Sequence, residues 1–397
     1  MQRYRSGTGE ESIMKTSLQD AAVVGIGRTS YKRASGRTTT ALAAEACRAA
    51  LADCGLTPAD VDGFTCFGTG TGSASPSAVA HAIGVEDLGW SLSVSGGGNI
   101  VTSTVMGAIT AVTSGQANVV VVYRVLGSET RYGKNLGILN IEGEGQFSGP
   151  SGFLVPPQWF AMFAQRHQFE YGSTSEDLGA IAIQERIHAS KNPHAVGRDP
   201  ITLDDYMNSR WIAEPFRLFD CCYEVDGAVA LVITSGARAK DLPHPPVHVL
   251  GAADSNRYGG SPVQYSDMTT MFSAGTAPKL WARTGLSARD IDVACMYDCF
   301  TFTVMATFED FGFCEKGEVG DYFREGRATY GGDVVVNPHG GLLSEGYIHG
   351  MNHHYEAVLQ LRNAAGVRQV TNAQTALVTS GAGPFGGALV YGTAATL

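Results

Sequence analysis

The feature that most constrains this fold is a segment that occurs twice in the chain. Residues 55–66 read GLTPADVDGFTC, and residues 285–296 read GLSARDIDVACM. In both copies a glycine ends a predicted helix, a short turn begins at a threonine or serine, and a predicted strand follows. The order of helices and strands around the two copies is also similar. The repeat therefore predicts a chain built from two similar halves.

Predicted strands alternate with predicted helices in both halves, which indicates an α/β protein with a largely buried sheet. The clearest strand, residues 117–125, reads ANVVVVYRV. From residue 127 to residue 216 the alternation breaks, which predicts an inserted loop domain over the core. We therefore expect a disordered leader (1–19), a first half (20–245) that carries the insertion, and a second half (246–397).

Composition and charge exclude several classes of protein. The 397 residues carry a formal net charge of −10, and the pI is near 5.5, which argues against a nucleic-acid-binding protein. No run of about 18 apolar residues predicts a membrane span, and the polar N-terminus does not predict a secretory signal. The eight cysteines form no CxxC pair, so we expect a cytoplasmic protein with free thiols and no metal site.

Four loops at predicted strand ends carry the candidate functional residues. Their glycines allow a ligand to approach the backbone closely, and their polar side chains span several pKa classes. If the repeat brings the halves together, we expect these loops to meet. The stretch 337–350, reading NPHGGLLSEGYIHG, by itself favours a site and a plain surface loop about equally. The four loops are 93–98, 297–301, 340–350 and 380–386.

The last loop contains the pattern GxGxxG at Gly381, Gly383 and Gly386. A dinucleotide-binding fingerprint needs a helix directly after this pattern. Here residues 388–391 read ALVY, which predicts a strand. We therefore interpret the glycines as a tight turn between two neighbouring strands, not as a nicotinamide cofactor site.

The order of these loops resembles the thiolase superfamily over nearly the whole chain, and its sterol-carrier and lipid-transfer branch fits best. That branch carries His-Asp-Cys-Phe where this chain has YDCF at 297–300, and Gly-His-Pro where it has GYI at 346–348. It carries Cys-x-Gly-Gly-Gly where this chain has SGAG at 380–383. The segment DCCYEVDGAVA at 220–230 resembles the Asp-Gly-Ala strand entry of the family. The resemblance implies the thiolase fold, with two α/β halves in a layered αβαβα core, and a homodimer.

Three departures from the thiolase pattern bear on the chemistry. A thiolase needs a nucleophilic cysteine at the N-terminus of a buried helix, and the matching stretch VSGGGN at 94–99 contains none. Tyr347 stands where the activating histidine would be, and Ser380 replaces the second cysteine. Ser95 is an alternative nucleophile, although no matched histidine remains to deprotonate it. Thiolysis through an acyl-enzyme is therefore disfavoured.

Two tyrosines, Tyr297 and Tyr347, occupy the two catalytic loop positions of the family. A phenol, with an ordinary pKa of about 10, acts as a general acid, or as a general base when its phenolate is stabilised. Such a pair suits retro-aldol cleavage, which needs a base for a β-hydroxyl group, a stabilised enolate and an acid. The alternative is that both rings only fill the space of lost catalytic residues. The same ionisable residue on two converging loops favours function.

Other residues have supporting candidate roles. Asp298 is interpreted either as orienting its loop or as structural, and His349 as tuning Tyr347 or relaying a proton. The resemblance implies an oxyanion hole made of backbone amides, and Ser380 belongs to the same supporting set. Cys299 is interpreted as a core residue, and the remaining histidines of this region as solvated or capping. The amide candidates are Gly97, Gly98 and Ala382, and the remaining histidines are His339, His353 and His354.

The resemblance is closest to the steroid side-chain aldolases, and it implies a CoA-thioester retro-aldolase, a carbon–carbon lyase. The implied substrate is a bulky β-hydroxyacyl-CoA, a 17-hydroxy steroid side-chain CoA ester, which yields a 17-ketosteroid and propionyl-CoA. CoA enters with the substrate, so no bound cofactor is expected. The implied partner is a small protein with a zinc ribbon and an OB-fold. Two alternatives stay open: a thiolase or acyltransferase with an atypical nucleophile, and a non-catalytic lipid or CoA carrier.

Overall fold

The structure of the protein is a computed structural model, and it describes residues 17–68, 73–127, 145–257, 259, 261 and 265–397. Most of the predicted leader, and residues 128–144 of the predicted insertion, lie outside the described residues. The domain boundaries drawn from the sequence stay a prediction.

The first half alternates strands and helices. Helix α1 begins where the Thr38 hydroxyl accepts a hydrogen bond from the Ala41 N–H group, and it ends before Gly55, whose φ of +70° suits glycine. The last strand before the insertion, VVVVYRVL, is buried along its whole length. In chain order the elements are β1 (Ala21–Arg28), α1 (Thr39–Asp53), β2 (Gly63–Gly68), α2 (Pro76–Ile83), β3 (Trp90–Ser95), α3 (Val101–Thr113) and β4 (Val119–Leu126).

The described part of the insertion is mainly helical, and the chain then returns to the sheet. The insertion contains α4 (Gly145–Ser148), α5 (Pro156–Tyr171), α6 (Ser175–Ser190), α7 (Leu203–Met207), β5 (Trp211–Ala213) and β6 (Phe216–Arg217). The remaining elements are β7 (Gly227–Ser235), α8 (Gly236–Ala239), β8 (Val247–Asn256), α9 (Ser273–Thr284), β9 (Val293–Cys295), α10 (Thr301–Asp310), α11 (Val319–Arg324), β10 (Val335–Val336), α12 (Met351–Leu361), β11 (Thr375–Ala382) and β12 (Phe385–Gly392).

The sheet topology confirms the two similar halves. The strand order is β3-β2-β4-β7-β1 in the first half and β10-β9-β11-β12-β8 in the second. Each half has two parallel pairs on one side and two antiparallel pairs on the other, in matching places. The halves join into one ten-stranded sheet through a short antiparallel contact between β1 and β8. The GxGxxG glycines lie at the tight turn between β11 and β12, as predicted.

The helices complete a layered αβαβα core. Helix α3 contacts β2, β4 and β7 of the first half and β11 and β12 of the second. Helix α12 likewise contacts β9 and β11 as well as β1 and β7. These two helices therefore lie between the halves, while α1 packs outside the first half and α9 outside the second. This arrangement places the N-terminus of α3 and the loop before α12 near each other.

The stretch 337–350 is not a surface loop. Every residue in it is buried, and the chain forms a π-helical turn (Gly341–Glu345) that packs against α6 of the insertion. The strand that precedes it is short and spans Val335–Val336. In the part of the chain that the structure describes, no helix has the length and apolar character needed to cross a membrane.

Candidate active site

The four predicted loops meet at one cavity, as expected. Its volume is about 780 Å³, and each loop contributes to its wall. The first loop provides Gly97, the second Tyr297, the third Tyr347 and the fourth Ala382. The insertion covers another side with aromatic side chains from α5, among them Phe160. The cavity therefore lies between the two halves and the insertion.

Tyr297 and Tyr347 face each other in this cavity. Their hydroxyl oxygens are 3.0 Å apart, so one hydroxyl donates a hydrogen bond to the other. Both side chains are almost fully buried, with 3% and 7% of their surface exposed. The Tyr297 N–H group donates to the Thr379 hydroxyl, and the Tyr347 N–H group donates to the Tyr223 carbonyl. Backbone bonds thus hold both phenols at hydrogen-bonding distance.

Two glycines make room for the Tyr297 ring. A Cβ atom on Gly98 would lie 1.9 Å from the Tyr297 hydroxyl oxygen, and one on Gly350 would lie 2.9 Å from the ring. Both distances are shorter than any normal contact. A side chain at position 98 and the phenol of Tyr297 therefore exclude each other. Within the stretch 94–99, the same collision excludes a cysteine at position 98.

Asp298 connects the Tyr297 loop to the π-helical turn. Its Oδ2 atom accepts a hydrogen bond from the Leu343 N–H group at 2.9 Å, and its Oδ1 atom lies 3.1 Å from Nε2 of His353. Burial opposes ionisation, but the hydrogen bond and charge of His353 keep the pKa of Asp298 below its usual value. Burial and the charge of Asp298 raise the pKa of Glu185 well above its usual value. The pKa values of the two buried carboxyl groups therefore shift in opposite directions, which favours the proton on Glu185.

His349 is buried beside Tyr347, with ring centroids 4.8 Å apart. Its Nδ1 atom accepts a hydrogen bond from Nε of Arg124, a fully buried residue of β4. Burial, and then the positive charge of Arg124, lower the pKa of His349 well below its usual value. The imidazole is therefore neutral at physiological pH, which argues against the proton relay and is compatible with tuning.

The supporting candidates separate into two groups. The amide candidates Gly97, Gly98 and Ala382 line the cavity with the two tyrosines. Ser380 is fully buried, and its hydroxyl bonds to the Thr102 hydroxyl at 2.7 Å. It does not line the cavity and ties β11 to α3 instead.

The alternative nucleophile Ser95 is exposed at the end of edge strand β3. It does not line the cavity that holds the tyrosines. This placement separates its hydroxyl from the phenols, so an acyl-enzyme on Ser95 receives no support from the structure.

The interpretation of three histidines as solvated or capping is wrong, because all of them are fully buried. Burial lowers the pKa of His339 and of His354 to about 3. His353 bonds to His339 through ring nitrogens 3.1 Å apart. His353 and His354 lie on α12, which is buried between the halves, and His339 lies in the buried stretch before it.

Sequence reasoning missed two residues of the site, Arg124 and Glu185. Arg124 interrupts an otherwise apolar strand, and such a charge is rarely buried without a partner, so the pattern contained a usable signal. Glu185 lies on an ordinary-looking helix, and nothing in its local pattern points to the site.

The cavity wall also contains three thiols, Cys221, Cys222 and Cys299. Burial raises the pKa of each of them above the usual value for a thiol. Raised values keep these groups protonated, so they act as apolar wall and not as nucleophiles. Cys299 is thus both buried and at the cavity surface.

Comparisons with known proteins agree with this architecture. Residues 258–391 match the model of the thiolase C-terminal domain-like family. The chain is 42% identical to a 17-hydroxy-3-oxo-4-pregnene-20-carboxyl-CoA lyase from Mycobacterium tuberculosis, over 94% of this chain and 99% of that protein. It is 42% identical to a steroid side-chain-cleaving aldolase from Thermomonospora curvata, over 94% and 97%. A solved Ltp2-ChsH2(DUF35) aldolase superposes with a TM-score of 0.87 at 40% identity, over 94% of this chain and 98% of that one.

Proposed function

This chain belongs to the family of steroid side-chain-cleaving aldolases with the thiolase fold, and we propose that it cleaves a carbon–carbon bond in a bulky β-hydroxyacyl-CoA. The relative from Mycobacterium tuberculosis is named as a lyase of a 17-hydroxy steroid carboxyl-CoA. The proposed substrate here is a compound of the same class. The proposed products are a 17-ketosteroid and propionyl-CoA.

The contact between the two phenols carries this proposal. Their oxygens are 3.0 Å apart at the wall of a large cavity, where two ionisable groups can share one proton. Thiolysis would need a cysteine in the stretch 94–99, and Tyr297 already occupies the space beside Gly98. A reaction that needs only proton transfers fits these residues better than one that needs an acyl-enzyme.

The chemistry has three steps, each assigned to groups of this chain. One tyrosine, as phenolate, takes the proton of the β-hydroxyl group, and the electron pair of the breaking carbon–carbon bond moves onto the α-carbon. The resulting thioester enolate is stabilised by amides proposed to come from Gly97, Gly98 and Ala382. The other tyrosine, as phenol, then protonates the α-carbon and releases propionyl-CoA.

The cavity wall supports a large apolar acyl group joined to a charged carrier. Aromatic and aliphatic side chains such as Phe160, Phe300 and Leu218 line it. Arg33, Arg186 and Arg210 also line it, and they provide positive charge in a chain whose net charge is −10. We assign these arginines to the phosphates of CoA. The chemistry requires no cofactor besides the CoA that the substrate carries.

We also propose that this chain works in a heteromeric complex. The solved relative with a TM-score of 0.87 is described as an aldolase of two components, Ltp2 and ChsH2(DUF35). The proposed partner here is a protein of that second type, with a zinc ribbon and an OB-fold. Two copies of this chain are proposed to form a homodimer within the complex.

The test is a cleavage assay on the chain purified together with such a partner. The substrate is the CoA thioester of a 17-hydroxy steroid with a three-carbon side-chain acid, and propionyl-CoA is measured without added free CoA. Tyr297→Phe and Tyr347→Phe should each lower kcat at least about 100-fold, since general acid–base catalysis contributes roughly that much or more.

The matched control is Tyr391→Phe, which removes a fully buried hydroxyl bonded to His354, away from the cavity. It should retain activity. Full activity in both Tyr297→Phe and Tyr347→Phe would exclude the tyrosine mechanism. A wild-type protein that cleaves only β-ketoacyl-CoA, and only with added CoA, would be a thiolase instead.

A further inference from the structure

The two tyrosines differ in the charges that lie behind them. Each phenol is adjacent to a buried histidine: His349 beside Tyr347 and His353 beside Tyr297, with ring centroids 4.8 and 6.4 Å apart. Behind His349 lies the cation of Arg124. Behind His353 lies a carboxylate, because His353 Nε2 is 3.1 Å from Asp298 Oδ1. Tyr347 therefore has the Arg124 cation behind a neutral imidazole, and Tyr297 has the oppositely charged pair of His353 and Asp298 behind it.

Arg124 is held rigidly in a low-dielectric environment. It is fully buried, its Nη1 group donates to the Phe67 carbonyl at 2.7 Å, and its guanidinium lies over the Phe67 ring. An arginine stays charged in any protein environment. Burying a cation in the middle of an apolar strand is costly. We therefore infer that the charge of Arg124 has a function at this site.

The contact with Arg124 fixes the tautomer of His349. An arginine only donates, so the Nδ1 atom of His349 must be unprotonated and its proton must lie on Nε2. His349 also has a φ of +53°, a conformation that few residues other than glycine adopt. The surrounding structure therefore enforces the position of a neutral imidazole, polarised by Arg124, against the Tyr347 ring.

We propose that Arg124, acting through His349, makes Tyr347 the base of the pair and leaves Tyr297 as the acid. This inference rests on the proposed retro-aldol reaction. The Arg124 cation stabilises a phenolate on Tyr347, whereas on the Tyr297 side the Asp298 carboxylate and the charge of His353 offset each other. The Tyr297 hydroxyl then donates its proton toward Tyr347 across the 3.0 Å contact. Arg124 and His349 are positioning residues, since neither lines the cavity.

Other charged and titratable groups near Tyr347 do not reverse this assignment. Glu345, two residues before it, is paired with Arg28 at 2.8 Å. Glu224 pairs with Tyr347 as a backbone bridge partner and borders the cavity, so its charge is more strongly screened than that of fully buried Arg124. Tyr31 contacts the preceding residue, Gly346, and is neutral, because burial raises its pKa.

The assignment fixes the order of proton movements. The Tyr347 phenolate accepts the proton of the β-hydroxyl group as the carbon–carbon bond breaks. The Tyr297 phenol gives its proton to the α-carbon of the enolate. Proton transfer from Tyr347 to Tyr297 across their contact then restores the starting state, so no proton is gained or lost over the cycle. This closed cycle explains why the two hydroxyls are in direct contact.

The test measures tyrosine ionisation directly, without substrate. The ultraviolet absorbance of tyrosinate is followed against pH in the wild-type complex and in Arg124→Gln. Removing the cation should raise the first apparent pKa of the tyrosine pair by about one unit, the low end of the effect of a nearby charge. The apparent pKa of the low-pH limb of the kcat/KM profile should rise by the same amount. Arg124→Lys, which keeps the charge, should shift both less.

Combining Arg124→Gln with a phenylalanine substitution at either tyrosine shows which tyrosine the cation affects. Arg124→Gln should still shift the titration in Tyr297→Phe and should not shift it in Tyr347→Phe. The reverse pattern, or no shift in any background, overturns the inference. His349→Asn provides a second variant if Arg124→Gln does not fold, since asparagine tolerates a positive φ, and it should shift the titration in the same direction.

A control separates this effect from general destabilisation. Arg362→Gln removes another largely buried arginine, paired with Asp53 at the far end of α12. It should leave the titration and the pH limb unchanged. If the titration shifts as expected but no β-hydroxyacyl-CoA is cleaved, the proposed function fails while the charge assignment stands.

Discussion

At the residue scale, the hydroxyl of Tyr297 and any side chain at position 98 compete for the same space. A Cβ atom on Gly98 would lie 1.9 Å from that hydroxyl and 2.4 Å from the nearest ring carbons. The first turn before α3 can therefore present either a side chain or the phenol to the cavity. A tyrosine at position 297 thus also requires a glycine at position 98, which lies on a different loop.

The smallest change at this position should disable the site. In Gly98→Ala the Tyr297 ring must move, so we expect kcat to fall at least about tenfold and stability to fall by about 1–3 kcal/mol, as for overpacked cores. Cleavage assays and urea unfolding measure both effects. In a Tyr297→Ala background the same substitution should cost almost no stability, because the clash is gone.

Gly107→Ala is the matched control for this prediction. It adds a Cβ atom in α3, where the nearest atom lies at an ordinary 3.5 Å. Alanine is the better helix former, so stability should stay or rise slightly. Equal losses in Gly98→Ala and Gly107→Ala would show that the collision with Tyr297 does not determine the result.

At the scale of elements, helix α6 and the π-helical turn enclose a pair of buried carboxyl groups. Glu185 on α6 accepts a hydrogen bond from the Asn337 amide at 2.8 Å, and burial and the negative charge of Asp298 raise its pKa. Asp298 ties the Tyr297 loop to the turn. The charge states of these two carboxyls therefore link the insertion to the catalytic loops.

The variant Glu185→Gln tests whether Glu185 holds a proton in the folded protein. Burial and Asp298 raise the pKa of Glu185 in the folded state, so the folded protein holds a proton that the unfolded chain releases above its ordinary pKa of 4.5. This contribution to stability is complete below pH 4.5 and is lost as pH rises toward the folded pKa. Glutamine cannot lose that proton, so the variant should gain stability relative to wild type as pH rises, by at most about 1.4 kcal/mol per pH unit.

Urea unfolding at several pH values measures this difference. The control is Glu325→Gln, which changes an exposed carboxylate after α11. Its stability curve should run parallel to that of the wild type. A parallel curve for Glu185→Gln as well would mean that Glu185 is already ionised in the folded protein.

Helices and strands were predictable from the sequence where hydrophobic periodicity and turn residues determine them. The duplicated segment gave the two halves, and the strand after GxGxxG excluded a dinucleotide site. Burial of the stretch 337–350 was not predictable, because its polar and glycine-rich composition is typical of a surface loop. It is buried because both halves and α6 enclose it, and no local pattern records such contacts. The partner of Arg124 is 225 positions away in the chain, at His349.

At the scale of the whole molecule, the site lies where the two halves face each other. Helices α3 and α12 lie between the two halves, and both begin at the cavity loops. Each half alone would expose one face of its own central helix, and the first half would contain neither phenol. Tyr297 and Tyr347 are in the second half of the chain, but their positions depend on Gly98 and Arg124 of the first.

The outer edge of the first half predicts how two copies meet. Strand β3, an end strand of the ten-stranded sheet, reads WSLSVS, has no charged residue and leaves 39% of Leu92 exposed. Exposed edge strands usually carry lysine, proline or a bulge that prevents pairing. Strand β3 contains neither lysine nor proline. We therefore expect a homodimer whose β3 strands lie together. Leu92→Lys should weaken it, because a buried unpaired charge is costly.

Sedimentation at several protein concentrations measures this association. Wild type should sediment as a dimer of this chain, and Leu92→Lys should shift toward the monomer at the same concentration. The control is Leu203→Lys at the start of α7, where 42% of the leucine is exposed, and it should remain dimeric. A monomeric wild type, or a Leu92→Lys variant as dimeric as the control, would place the contact between copies elsewhere or exclude it.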